Sequence, residues 1–382
     1  MTSKERVQAS LDGRPVDRFP VTSLYHYLYR MDHFTELTGL PAWRLREWLC
    51  TSPEHHLELF TAIRDKTPFE LLQPHGAPSR AYREQVEFVE KDGHGWMHNR
   101  KTDEWHPLDT PKASGHATDY HANETQHVFS LDDVRQRVPV VTAETMIADG
   151  QNDYAEALIS RYGQTEFILT GGVVGAFYGC SHHVGLTNLF ALILEQPDLI
   201  DYLSRRILEQ NIEVIRRYAA VAGDAVYIDD ACTTCDLISV AHYERFSLPL
   251  MKEMVAEIHR HGLKAILIYF GGIADRLDQI VSVGADGLLF ECSMKGYVND
   301  VAEIARRIGD RVTLFGNLDP VGILQDGSEA QFDHEIRRQV DAGRRARGFI
   351  MSTSSPITPS TPLARVQRFI EHSRRISRKG VG

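Results

Sequence analysis

The sequence predicts an α/β protein built as a closed (β/α)8 barrel, and three observations carry that reading. From about residue 143 onward, short apolar runs rich in strand formers alternate with longer amphipathic stretches, the pattern of parallel strands joined by helices. Two earlier runs bring the strand count to eight, which points to a closed barrel rather than an open sheet. Several runs end abruptly in ionisable residues, as strands do where loops gather at the C-terminal rim of a barrel.

In chain order, a first helix is expected from Thr2, an N-cap candidate, to about Leu11, before the turn D-G-R-P. Residues 18–25, R-F-P-V-T-S-L-Y, read as the first strand. Helical segments around 42–50 and 53–65 form an N-terminal helical extension, and 69–72 is the second strand. Between 84 and 108 the texture changes to alternation in Q-V-E-F-V, the turn D-G-H-G, then W-M-H-N-R and E-W-H-P-L. That pattern predicts an antiparallel hairpin or meander, so an insertion over about 84–126 interrupts the barrel near its mouth. Ser130 caps a short helix carrying Asp132 and Asp133 in its first turn. Strands then follow at 166–170, 225–228, 264–269, 287–291, 311–315 and 348–352, with helices between them and a final helix over 362–377. One domain covers 1–382.

Composition sets the bounds. A chain of 382 residues accommodates such a barrel with an extension and an insertion. Its 42% apolar and 25% charged residues are ordinary for a globular protein. The net charge of −10 argues against a nucleic-acid partner. No apolar stretch approaches a membrane span and the start M-T-S-K-E-R has no signal-peptide core, so a cytoplasmic location is expected. Five scattered cysteines do not suggest a disulfide framework.

The strand ends define the candidate site. The segment D-A-V-Y-I-D-D-A-C-T-T-C delivers Asp229 and Asp230 to the rim and follows them with a C-x-x-C pair. Glu291 and Cys292 end another strand, Tyr25 and His26 the first, and Asn317 and Asp319 a later one. Asp229 and Glu291 are the candidate acid–base groups, joined by His26 and by Tyr178 after the G-G-V-V-G-A-F-Y run. Tyr25, Asp230 and Asn317 are candidate substrate contacts. About half of the rim residues would serve only as caps, Asp319 before Pro320 being an example. The glycine run misses the G-x-G-x-x-G spacing, and no nucleotide cofactor is indicated.

Five segments carry a resemblance: K-E-R-V-Q-A-S-L-D-G-R-P-V-D-R-F-P-V at the start, G-D-A-V-Y-I-D-D with L-I-S-V-A-H-Y-E-R-F, G-A-D-G-L-L-F-E, G-N-L-D-P-V-G-I-L, and G-F-I-M-S-T-S-S-P near the end. Together they resemble the uroporphyrinogen decarboxylase superfamily. The resemblance implies a distorted (β/α)8 barrel and one of two activities, decarboxylation in the haem pathway or methyl transfer to and from a corrinoid cofactor. Where the decarboxylases carry R-Q-A-G-R, this chain reads S-L-Y-H-Y-L-Y-R, and Ser355 stands where they place a histidine. Those departures favour the methyltransferase branch.

The resemblance then implies a small methylated or methoxylated substrate and a corrinoid (cobalamin) carried by a separate partner protein, since the chain has no D-x-H-x-x-G motif. Whether the chain forms a homodimer stays open. Many such relatives hold zinc through H-x-C plus a later cysteine, but the matching places here are Ile268, Phe270 and Ser355. Zinc would instead need Cys232, Cys235 and Cys292, with Asp229, Asp230 or Glu291 as fourth ligand; the alternative is that these thiols are small buried hydrophobes. A decarboxylase of a smaller acid and a non-catalytic barrel binding a tetrapyrrole or small effector are the rival readings.

Overall fold

The computed structural model describes residues 1–23, 25–108, 128, 130–294 and 296–378. Ten strands are formed among them: β1 (Leu71–Leu72), β2 (Val86–Lys91), β3 (His94–Asn99), β4 (Glu104–Leu108), β5 (Phe167–Val174), β6 (Ala225–Asp230), β7 (Lys264–Tyr269), β8 (Gly287–Phe290), β9 (Thr313–Phe315) and β10 (Phe349–Ile350). Seven of these make one sheet in the order β1-β5-β6-β7-β8-β9-β10, with every pairing parallel. The sheet curls until its edges meet the N-terminal segment. Val21 bridges Met351 in parallel, Thr22 N–H donates to Met351 O at 2.8 Å, and Glu70 N–H donates to Val21 O at 3.0 Å.

The eighth stave is therefore one bridge long, not the strand expected over 18–25. Pro20 has no N–H to give a ladder, and Tyr25 turns the chain into the helix His26–Asp32. Beneath this seam sits Glu70, 1% exposed, which accepts from Arg6 Nη1 at 2.6 Å, Arg18 Nη1 at 2.6 Å and the Val21 N–H at 3.0 Å.

Alternation along the strands decides what reaches the site. Ala225, Ile266, Ile268, Leu289, Phe315 and Ile350 pack together in the barrel interior, with Val7 and Leu11 of the first helix alongside them. Their neighbours Val226, Ile228, Leu267, Tyr269, Leu288 and Phe290 pack outward with the helices. Continuing the period of two, Tyr227, Asp229, Phe270 and Glu291 fall on the inner face, and Asp230 on the outer one.

The helical extension comprises His26–Asp32, Phe34–Thr38, Arg44–Trp48 and Pro53–Lys66, packed around Phe34, Trp48 and Phe60. The insertion is a three-stranded antiparallel sheet, β2-β3-β4, richer by a strand than a hairpin. It leans on the extension: a Cβ added to Gly95 would lie 2.4 Å from Trp43 Cγ. The remainder of the expected insertion, 109–126, lies outside the described residues. No helix among the described residues is long and apolar enough to cross a membrane.

Candidate active site

At the C-terminal mouth, Tyr25 donates its hydroxyl to Asp229 Oδ2 at 2.6 Å, and Asp229 Oδ1 is buried with no hydrogen-bond partner. Tyr25 has φ 58°, a left-handed conformation that is uncommon for a bulky residue and tends to mark functional positions. Its ring meets Tyr27 and Tyr227 edge-on at 5.9 and 5.5 Å and tilts on Phe270 at 6.0 Å. Asp229 thus stands at the end of an aromatic wall. Burial, opposed by the hydrogen bond from Tyr25 and aided by the neighbouring Asp230 charge, raises its carboxyl to about 7. Such a group exchanges a proton near neutral pH.

Tyr227 is fixed from behind. A Cβ added to Gly172 would lie 2.1 Å from Tyr227 Cζ, so only glycine admits the ring there. Gly172→Ala is expected to destabilise the protein by about 1–3 kcal/mol, as forced overpacking does. Thermal unfolding measures this; an unchanged melting temperature would mean that the ring relocates freely.

The other expected residues divide. Glu291 is buried on the inner face and accepts a short hydrogen bond from Tyr297 OH, so it joins the rim as expected. Asp230 does not. It is fully buried on the outer face, accepts from Ser247 Oγ at 3.0 Å, and ties β6 to the π-helical turn Tyr243–Ser247. Burial raises its carboxyl to about 6 although hydrogen bonds from Thr233 and Ser247 oppose this. Asn317 is likewise structural: its Nδ2 donates to Asn299 O at 2.8 Å and its Oδ1 accepts from Gln339 at 3.0 Å. Asp319 caps the turn Pro320–Gln325 by accepting from Val321 and Gly322 N–H.

His26 shares Tyr25's corner but turns away from Asp229. It is buried, its Nδ1 bonds Ser23 O at 2.9 Å, its ring lies on Phe69, and burial holds its pKa well below the ordinary range. Tyr178 stands in the short helix Ala176–Gly179 with its ring 5.4 Å from that of His182, and the tyrosine that bonds Asp229 is Tyr25. Sequence reasoning missed Tyr227, although it lies two residues before Asp229 and so shares its face. Tyr297, the partner of Glu291, lies in a loop that no periodicity marks.

The expected zinc set does not assemble. Among the described residues no three His, Cys, Asp or Glu side chains form a group that could hold a metal ion. Cys232 is buried, Cys235 is exposed with its Sγ over Gly272, and Cys292 is buried beside Ser354. Burial raises the Cys232 thiol, with Asp230 and Asp229 adding to the effect, and lifts Cys292 to about 11. Ile268 and Phe270 pack with the barrel interior where the H-x-C ligands would stand. Metal content, measured by mass spectrometry, is expected to be equal in the wild type, Cys232→Ser and Cys292→Ser; metal lost in either variant would reinstate the thiolate site.

Comparison with known proteins fits the barrel. The family model described as uroporphyrinogen decarboxylase (URO-D) matches residues 111–376. The chain belongs to the URO-D family. It is 30% identical over 189 residues to uroporphyrinogen decarboxylase of Coxiella burnetii, covering 47% of this chain and 48% of that protein. It is 24% identical over 217 residues to the methylcobamide:CoM methyltransferase MtbA of Methanosarcina acetivorans, covering 56% of this chain and 60% of that protein. The chain thus spans about half the length of the curated relatives it matches. Among solved structures, a methyltransferase from Methanosarcina mazei aligns over 98% of both chains with a TM-score of 0.67 at 17% identity, which shows a shared fold. Both decarboxylases and a methyltransferase are thus among the relatives.

Proposed function

We propose that this URO-D family protein is a methyltransferase that moves a methyl group between a small methylated or methoxylated substrate and a corrinoid held by a partner protein. The observation that carries the reading is the buried, tyrosine-bound Asp229 at the barrel mouth, a proton donor near neutral pH. A heteroatom that loses its methyl group acquires negative charge, and a neutral acid beside it lowers that barrier. The corrinoid, when its carrier docks, supplies the nucleophile that accepts methyl. Asp229 gives its proton to the departing heteroatom, Tyr25 orients the carboxyl, and the ring wall of Tyr25, Tyr27 and Phe270 keeps water from the reacting atoms. Glu291, held by Tyr297, is the second carboxylate of the rim.

The cation pattern supports this reading over porphyrinogen decarboxylation. Arg30, the one arginine in S-L-Y-H-Y-L-Y-R, is 1% exposed and donates to Thr67 Oγ1 and O at 2.9 and 2.8 Å, which leaves only Nη1 without a partner, so it puts no exposed cation at the mouth for a polycarboxylate. Zinc takes no part here, because the donor set does not fit it.

The test incubates the protein with cob(I)alamin and a panel of methoxylated aromatics, methylamines and methyl thioethers, and follows formation of methylcob(III)alamin by its visible spectrum. Methylation that depends on the protein and falls in Asp229→Asn supports the proposal. Release of CO2 from small carboxylic acids without any methyl transfer would replace it with decarboxylation of a smaller acid.

A further inference from the structure

A cavity of about 220 Å3 opens through the barrel wall beside the mouth, between β1 and β5. The two strands pair only at Leu71 with Phe167 and Leu72 with Ile168, while on its other side β5 goes on pairing with β6 as far as Val174 with Asp229. The short β1–β5 ladder thus leaves a gap where a longer one would have sealed the wall. Tyr27, Gln73, His75 and Tyr227 line it, and Arg217 and Tyr218 reach it from the last turn of the outer helix Pro197–Ala219.

Several polar atoms lining this cavity lack partners. Arg217 is 8% exposed; its Nη1 donates to Gln151 O at 3.2 Å and its guanidinium lies 4.4 Å from the Tyr218 ring centre, while Nε is buried with no acceptor. Among the described residues no carboxylate pairs with it. Gln73, 6% exposed, reaches Tyr227 OH only at 3.4 Å and leaves Oε1 unsatisfied, and both ring nitrogens of His75 are buried without partners. A buried guanidinium without a counter-charge is costly. An anion in the cavity would meet that charge, and the tyrosine rings would flank its apolar part. One fixed cation suits a monoanion better than a phosphate dianion.

We infer that this cavity is a carboxylate-binding subsite, in which Arg217 holds the acid group of a small aromatic carboxylate. Tyr27 and Tyr227, which line the cavity, also pack against Tyr25, whose hydroxyl holds Asp229. A ligand anchored at Arg217 can extend along that wall to the proton donor, and this last step rests on the function proposed above. Arg217 is then a specificity determinant for the acid group.

Calorimetry with benzoate, and with benzyl alcohol as its uncharged counterpart, tests the subsite without any methyl transfer. Benzoate is expected to bind the wild type saturably and to bind Arg217→Gln about tenfold more weakly, the loss of one charge-assisted hydrogen bond. Benzyl alcohol affinity is expected to be the same in both. Gln73→Glu, which sets a like charge beside the acid, is expected to weaken benzoate with Arg217 intact, so the result does not hinge on one variant folding. No saturable binding at millimolar benzoate, or equal benzoate affinity in wild type and both variants, overturns the assignment. Arg217-dependent benzoate binding in a protein that transfers no methyl group would leave the subsite standing and remove only the methyltransferase reading.

Discussion

Asp229→Asn is expected to lower turnover by about 100- to 1,000-fold in methyl transfer while leaving the barrel folded, the magnitude that loss of a positioned general acid produces. The amide keeps the acceptor for Tyr25 but has no proton of suitable acidity to give. The pH dependence identifies the group. With its carboxyl raised to about 7, Asp229 is protonated below that pH, so wild-type demethylation should decline as pH rises through neutrality. The asparagine variant should lack that limb.

Tyr25→Phe removes the hydrogen bond that favours the carboxylate, so the limb should move to higher pH. Stability moves in the opposite sense to that of a salt-bridged aspartate. The folded state holds the proton more tightly than the unfolded chain does, so Asp229 costs stability increasingly as pH climbs from about 4 to about 7. Asp229→Asn should therefore melt higher than the wild type at pH 8, with the gap closing toward pH 4. A melting gap independent of pH, or activity preserved in the variant, would remove Asp229 from the chemistry.

Glu70→Ala is expected to destabilise the fold by about 3–5 kcal/mol, because it removes a buried carboxylate shared by two arginines and strands Arg18 without a carboxylate partner among the described residues. Arg6 retains Asp17 at 2.7 Å, but Arg18 loses both of its hydrogen bonds to Glu70, and the Val21 N–H loses its acceptor. Since Val21 is the barrel's closing residue, the seam should loosen before the rest of the sheet does. Equilibrium denaturation measures the total, and hydrogen exchange at Thr22 and Met351, which bond across the seam, reports the local part. Stability within about 0.5 kcal/mol of wild type would mean that water replaces the carboxylate, as at ordinary surface sites.

Much of the fold was legible because periodicity carries it. Strands such as Lys264–Tyr269 are buried on both faces and read as continuous apolar runs, helices such as Val301–Ile308 bury one face, and hydrophobic patterning registers both. The first stave was not legible, since a single bridge at Val21 has no period to detect. In the site, Asp229 and Glu291 were readable as charged ends of apolar runs. Asp230 was misread because strand parity was not applied to adjacent aspartates: one residue of offset turns a side chain from the mouth to the outer layer. Asn317 failed for another reason, as its partners Asn299 and Gln339 come from elements whose packing the sequence does not announce. Arg217 was hidden on a helix whose amphipathic pattern accounts for an arginine near its end as a charge favouring the dipole.

The seam at Val21 also dictates an order of assembly during synthesis. Its two sides are far apart in the chain: Ser23 Oγ meets Thr353 Oγ1 across 330 residues. At roughly 5–20 residues per second, a ribosome takes some tens of seconds to deliver the second side after the first. For that interval the Val21 segment has no strand on its β10 side, and the apolar interior lined by Ile266, Ile268 and Leu289 is open along one flank. The nascent barrel is therefore a trough, and the residues that convert it into a cylinder emerge only after the other six strands of the sheet.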